Sequence, residues 1–208
     1  HRTEGIIAMY AYVFSFYTII AGPVEAFNDF MASMNGQPQS ISFDDMLNAL
    51  LRIAYGYIKV VGIAKVFYDL SYEYYSMFAV SAIANLLYVY FDFSGYCDVV
   101  ISFAKLAGIE IKENFNKPFI AVGVDDFWRR WNIGISTWLK NYVYYPLGGG
   151  KIGFFRTCIN TMMVFIVSGL WHGMNVNSLI FGVLQGVGVC VCKLYERILI
   201  KKLGSKEA

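Results

Sequence analysis

The sequence predicts an all-α membrane protein, a polytopic transmembrane helix bundle with some helices interfacial or re-entrant. Three observations predict it. Hydrophobic residues make up 57% of the 208-residue chain and charged residues only 15%, where soluble domains carry about 25% charged. The stretch from Thr157 to Cys192 holds no Asp, Glu, Lys or Arg. Further apolar runs of the length a bilayer core requires alternate with turns rich in Gly, Pro and Asn. Mean hydropathy is +0.49, an excess of apolar surface that one domain of this length cannot hide, so the lipid bilayer is the expected solvent. A net charge of +2 with no interleaved basic run gives no footprint for nucleic acid.

The elements follow in order. Gly5 to Val24 is free of charge and about one span long, ending where Gly22-Pro23 breaks a helix. Asn28 to Ser42, with "NGQPQS", reads as a loop. Ser42-Phe43-Asp44-Asp45 has the form of a capping box. Behind it Met46, Leu47, Leu50, Leu51 and Ala54 recur at helical spacing opposite Asn48 and Arg52, as in a helix that enters through the interface. Lys59 and Lys65 interrupt its continuation to Phe67 and are expected to snorkel.

Tyr74 to Phe91 is a further apolar run, followed by "FDFSGYCD", in which Asp92 and Asp98 bracket a glycine. Lys105 to Lys117 reads as a basic loop. Asp125 is then the expected N-cap of a helix that runs to Pro146. Along it Trp128, Trp131, Ile135, Trp138, Tyr142 and Tyr145 share one face, and Arg129, Asn132, Ser136 and Lys140 another. Such a helix is too charged to cross lipid alone; it lies at the interface or lines a polar cavity, and the pattern leaves both open.

Thr157 to Cys192 is too long for one ordinary span and suits two, with the break at "WHGMNVNS". Gly169 with Gly173, and Gly182 with Gly186, have the spacing that lets helices approach closely in lipid. Lys140, Lys151 and Arg156 precede the pair, and Lys193, Arg197, Lys201 and Lys202 follow it. By the positive-inside rule both flanks are cytoplasmic, which makes the pair a hairpin with His172 toward its outer end or inside the membrane. The four cysteines show no CxxC or zinc-type spacing and read as packing residues. "GGGK" lacks the spacing of a phosphate loop and a preceding strand. No ligand pattern calls for a metal. The chain opens on His1 without a signal peptide and reads as part of a longer protein.

An ionisable residue at membrane depth is a functional candidate by default. His172 is one of only two histidines. Imidazole takes and returns a proton near neutrality, which suits general-base catalysis, proton relay or a packed polar contact alike. Asp92 is either a helix-end residue facing water or a buried partner of Arg129 or Arg130.

In order, "IAGPVEAFNDF", "FDFSGYCDVVISFAKLAGIEIKENFNKPF", "DDFWRRWNIGISTWLKNYVYYPLGGG" and "SGLWHG" resemble the membrane-bound O-acyltransferase family. The likeness covers about Phe14 to Arg197 and is nearest to the bacterial branch that modifies alginate and teichoic acid. It implies one partial catalytic domain over residues 1–208, a bundle around a central tunnel in the bacterial cytoplasmic membrane, with further helices before and after. It also implies an activated donor on the cytoplasmic side and a hydroxyl acceptor on the other. The donor is an acyl-CoA or acyl carrier thioester used as co-substrate, with no bound cofactor. Partners are the lipid bilayer, the donor or its carrier protein, and a polymer acceptor or accessory acetylation proteins.

By the same resemblance His172 is the general base. Alginate-type members carry Arg-Arg-Trp-His where this chain reads Arg129-Arg130-Trp131-Asn132. An amide is no base, but it donates hydrogen bonds to a developing oxyanion, so Asn132 is expected to polarise the acyl carbonyl. Trp131, Ser136 and Trp128 are expected to shape the substrate pocket, with Arg129 and Asp92 as further substrate-binding candidates. The function that the resemblance implies is transfer of a small acyl group, acetyl first, to a cell-envelope polysaccharide or similar exported polymer. Eukaryotic members that acylate lipids resemble the Asn-plus-His arrangement, so a lipid or small hydroxyl acceptor is the alternative. A proton or anion transporter is the reading outside the family.

Overall fold

The computed structural model describes residues 2–15, 23–35 and 41–204. Every regular element among them is helical. Among the described residues three helices are long and apolar enough to cross a membrane: Phe78–Leu106, Phe154–His172 and Val176–Leu199. The chain forms two compact units, His1–Asn114 and Phe115–Ala208.

In the first unit α1 (Arg2–Val13) covers the beginning of the expected Gly5–Val24 span, and residues 16–22 lie outside the described residues. The supposed loop from Asn28 is instead the helix α2 (Phe27–Asn35), whose Phe30 is buried against the ring of Tyr12. Residues 36–40 of "NGQPQS" also lie outside the described residues.

The capping box appears as expected at the start of α3 (Phe43–Tyr57). Ser42 Oγ accepts from the Asp45 N–H at 3.1 Å, and its hydroxyl donates to Asp45 Oδ2 at 2.7 Å. The helix continues through a π-helical stretch (Ile58–Ala64) into α4 (Lys65–Glu73). Met46, Leu47, Leu50 and Leu51 form an outward apolar face, while Ala49 and Gly56 turn inward. That inverts the pattern of a soluble helix and suits a lipid surround.

Against this long helix packs α5 (Phe78–Leu106). It starts after the expected Tyr74 and continues through "FDFSGYCD", so Asp92 and Asp98 lie mid-helix rather than at a helix end. Gly95 is a contact point: a Cβ on it would stand 2.7 Å from the Gly56 carbonyl oxygen, and one on Gly56 2.6 Å from that of Gly95. Beside this crossing lies an ion cluster. Lys59 Nζ meets Asp98 Oδ2 at 2.7 Å, Arg52 Nε donates to Asp98 Oδ1 at 2.8 Å, and Arg52 is bidentate to Glu113 at 2.7 Å on both arms. Lys59 does not snorkel; it is 9% exposed, paired, and 4.7 Å from the Tyr55 ring centroid. A buried ammonium next to a buried carboxylate removes the need to reach water. Lys65 is exposed and pairs with Asp69.

In the second unit a short 3₁₀ turn (Pro118–Ile120) leads to α6 (Val124–Arg130) and α7 (Ile133–Leu139). A π-helical turn (Lys140–Tyr144) and the "PLGGG" bend follow. Then come α8 (Phe154–His172) and α9 (Val176–Gly204), packed as the expected hairpin. The break falls within "WHGMNVNS" as expected: Asn175 Oδ1 accepts from the Ser178 N–H at 2.9 Å and caps α9. Gly169, Gly182 and Gly186 sit in the α8–α9 contact, whereas Gly173 belongs to the turn and not to the crossing. At the far end Asn160 Nδ2 donates to the carbonyls of Leu147 and Gly149 at 3.0 and 2.9 Å, fastening the "PLGGG" bend to α8.

Candidate active site

The expected helix from Asp125 to Pro146 is divided. Its N-cap is Gly123 rather than Asp125. Asp126 Oδ2 reaches back to the Val122 N–H at 3.3 Å and accepts from Arg130 Nε at 3.0 Å. The Arg130 guanidinium holds the Asp126 carboxyl below its ordinary range, with the Val122 N–H adding to the effect. Arg129 pairs with Asp125 at 3.0 Å. Both arginines thus brace the first turn of their own helix, which also favours the acidic residues at its N-terminus.

The division falls at Asn132, which takes φ 46° and ψ 59° between α6 and α7. Asn is among the few non-glycine residues that adopt this left-handed conformation at low cost. The single aromatic face expected from 3.6-residue periodicity is therefore split. Trp131 is extended and buried, stacked on Phe127 at 5.3 Å and edge-on to Phe115 at 5.1 Å. Trp128 points elsewhere, edge-on to Phe165 of α8 at 5.4 Å and to Phe181 of α9 at 6.3 Å. Trp138 and Tyr142 lie against one another at a tilt of 34° and are exposed. Ser136 spans the division, its hydroxyl within 3.3 Å of the Trp128 carbonyl and 3.4 Å of that of Trp131. Asn132 itself is buried.

His172 is the last residue of α8. Nineteen residues span about 28 Å at the α-helical rise, close to the hydrocarbon thickness. The histidine therefore stands at one end of its span and the basic flank Lys151, Arg156 at the other. Its imidazole is exposed, 5.0 Å from the Trp171 ring and 6.4 Å from Phe181, nearly perpendicular to the latter. Among the described residues no side chain donates to or accepts from it. Phe181 meets both His172 and Trp128 edge-on. One phenyl ring thus links the "WHG" end of α8 to the helix that leads into Asn132.

Two members of this arrangement escaped sequence reading. Phe181 is one apolar residue among many in α9 and carries no distinguishing pattern. Gln185 Oε1 accepts from the Trp128 indole N–H at 3.2 Å; an amide inside a charge-free apolar run was its available signal. Asp92 belongs to the first unit, half-buried in mid-α5, while the other candidates lie in the second. Arg129 and Arg130 carry their ion pairs within α6.

Comparison with known proteins gives consistent matches. The family model described as MBOAT, membrane-bound O-acyltransferase family, matches residues 2–202. A probable alginate O-acetylase of Pseudomonas aeruginosa is 34% identical over 196 residues, covering 91% of this chain and 37% of that protein. A peptidoglycan O-acetyltransferase of Helicobacter pylori is 32% identical over 197 residues, 90% of this chain and 37% of the relative. A teichoic acid D-alanyltransferase of Bacillus subtilis is 25% identical over 221 residues, 89% of this chain and 51% of the relative. The chain thus spans between about a third and a half of the length of these relatives.

Proposed function

Because this chain belongs to the membrane-bound O-acyltransferase family, we propose that it is the catalytic part of a multi-pass enzyme of the bacterial cytoplasmic membrane. That enzyme moves a small acyl group, acetyl first, from a cytoplasmic thioester to a hydroxyl of a cell-envelope polysaccharide. Relatives named for acetylating alginate and peptidoglycan and for D-alanylating teichoic acid share the chemistry of that acceptor, a hydroxyl on an exported polymer.

In this mechanism His172 takes the proton from the acceptor hydroxyl. The oxygen attacks the donor carbonyl, and the tetrahedral intermediate collapses as the thiolate leaves and is protonated by the imidazolium. The Asn132 amide donates to the carbonyl oxygen as negative charge develops on it. Trp131 and Ser136 keep the Asn132 segment in place through the ring stack and the hydroxyl bridge described above, and Trp128 lines the wall next to the base. The donor is an acyl-CoA or an acyl carrier thioester that approaches the basic flanks; accessory envelope proteins deliver or receive the polymer.

The observation that carries this reading is the ring of Phe181 between His172 and Trp128, which joins the two motif-bearing segments within one unit. The test is ester content of purified surface polymer from cells that carry the full-length protein or its His172→Ala variant at matched membrane levels. Loss of esters with the variant supports the reading. Equal ester content in both removes His172 from the mechanism, and esters found only in lipid extracts shift the acceptor to a lipid hydroxyl.

A further inference from the structure

We infer that Gln185 is a positioning residue that sets the wall beside His172 and thereby the size of acyl group accepted; this rests on the acyltransferase reading above. Gln185 lies on α9 one turn beyond Phe181, and its Oε1 accepts the only hydrogen bond an indole can donate, from Trp128 Nε1 at 3.2 Å. An amide on a membrane-spanning helix needs such a partner, because lipid offers none.

The hydrogen bond fixes the indole plane. With the plane fixed, Trp128 stands edge-on to Phe181 at 6.3 Å, and Phe181 in turn stands edge-on to His172 at 6.4 Å. Edge-to-face contacts of this kind are orientation-dependent, so a rotated indole releases Phe181, and Phe181 bounds the imidazole. The framework behind them is close-packed. A Cβ on Gly182 would meet the Phe165 carbonyl oxygen at 2.4 Å, and one on Gly186 the Met162 sulfur at 2.7 Å. The helices are in backbone contact at Gly182, and the Met162 side chain fills the approach at Gly186, so beside this close crossing the Trp128 ring and its hydrogen bond set the orientation of the wall.

The test uses the full-length protein in lipid nanodiscs with nitrogen-labelled tryptophan and histidine. Trp128→Phe and His172→Ala identify the two side-chain resonances by their loss. Gln185→Leu removes the acceptor, and Gln185→Glu keeps an acceptor oxygen at the same reach. The expected result is that Gln185→Leu shifts both the Trp128 indole and the His172 imidazole resonances, while Gln185→Glu leaves both near their original positions. With acetyl-CoA and butyryl-CoA as donors, Gln185→Leu and Trp128→Phe each reduce discrimination against the longer acyl group by about tenfold, the scale of a methylene-sized change in a pocket. The double variant loses no more than either alone, because both changes remove one device. A shifted indole with an unmoved imidazole overturns the inference, as does equal slowing of both donors, which marks a merely structural residue. Absence of transfer by the wild type, with both resonances responding to Gln185→Leu, overturns the acyltransferase reading and the size selection with it while leaving the positioning contact intact.

Discussion

Gly169 and Gly182 bring α8 and α9 into backbone contact: a Cβ on Gly169 would stand 2.4 Å from the Ser178 carbonyl oxygen and 3.1 Å from the Gly182 Cα. No flexible side chain is available there to give way. The contact lies one turn below His172 on α8 and one residue after Phe181 on α9, so it sets how those two rings meet.

Gly169→Val is therefore expected to force the hairpin apart and lower stability by about 1–3 kcal/mol, the usual cost of overpacking. Activity falls further than stability because the His172–Phe181 contact opens. Thermal unfolding in detergent and ester formation at matched protein levels measure the two effects. Unchanged stability would show that the helices separate freely.

Asn132 combines a backbone demand with a proposed chemical one, and the two separate by substitution. Asn132→Gly adopts the left-handed conformation and is expected to keep the fold while turnover drops about 10²- to 10³-fold with the lost carbonyl donor. Asn132→Val is strained there, at a cost of about 1–3 kcal/mol, and loses both. Full turnover in a folded Asn132→Gly protein would leave Asn132 a purely conformational role.

His172 is exposed at a helix end, where its ring meets those of Trp171 and Phe181. His172→Gln should therefore leave the unfolding midpoint unchanged while turnover falls about 10²- to 10⁴-fold, the range for a general acid–base group. A parallel fall in both would point to a structural imidazole.

Asp98 joins Lys59 and Arg52 in the first unit. Asp98→Ala leaves Lys59 buried without its carboxylate, which costs about 3–5 kcal/mol when one partner of a buried pair is removed. Lys59→Met with Asp98→Leu removes the Lys59–Asp98 pair and should be milder than Asp98→Ala alone. Chemical denaturation of the three proteins orders them, and a milder single variant would contradict the pairing.

The carboxyl of Asp126 is held below its ordinary value by Arg130. A depressed folded-state value contributes stability that is present above the unfolded carboxylate range, about pH 4, and is lost as pH falls through the folded value. Asp126→Asn is expected to flatten the acid limb of the stability curve of the second unit in that window. An unaltered acid limb would mean that the Asp126–Arg130 bond carries none of it.

Much of this molecule was legible in the chain. The capping box at Ser42, the apolar α5, α8 and α9 and the hairpin break at "WHGMNVNS" follow from local periodicity, hydropathy and turn chemistry. Those signals reside in a few neighbouring residues and need no partner to act. The motifs around Arg129 and His172 also sufficed for the family. Periodicity misled at the Trp128 helix because one residue in a left-handed conformation resets the phase of every side chain after it.

What only the tertiary structure decided concerns partners far apart in sequence. Lys59 reads as a snorkelling lysine until Asp98, 39 residues on, accepts its hydrogen bond. Gly95 is only a glycine between two aspartates until Gly56 is seen against it. Gln185 is a stray amide until the Trp128 indole, 57 residues away, finds it. The sequence by itself determined the solvent, the helices and the family, because apolar length and motif order are properties of one strand of chain. Which polar group meets which is settled only when helices pack, since in a water-free surround each must find its hydrogen-bond partner on another element.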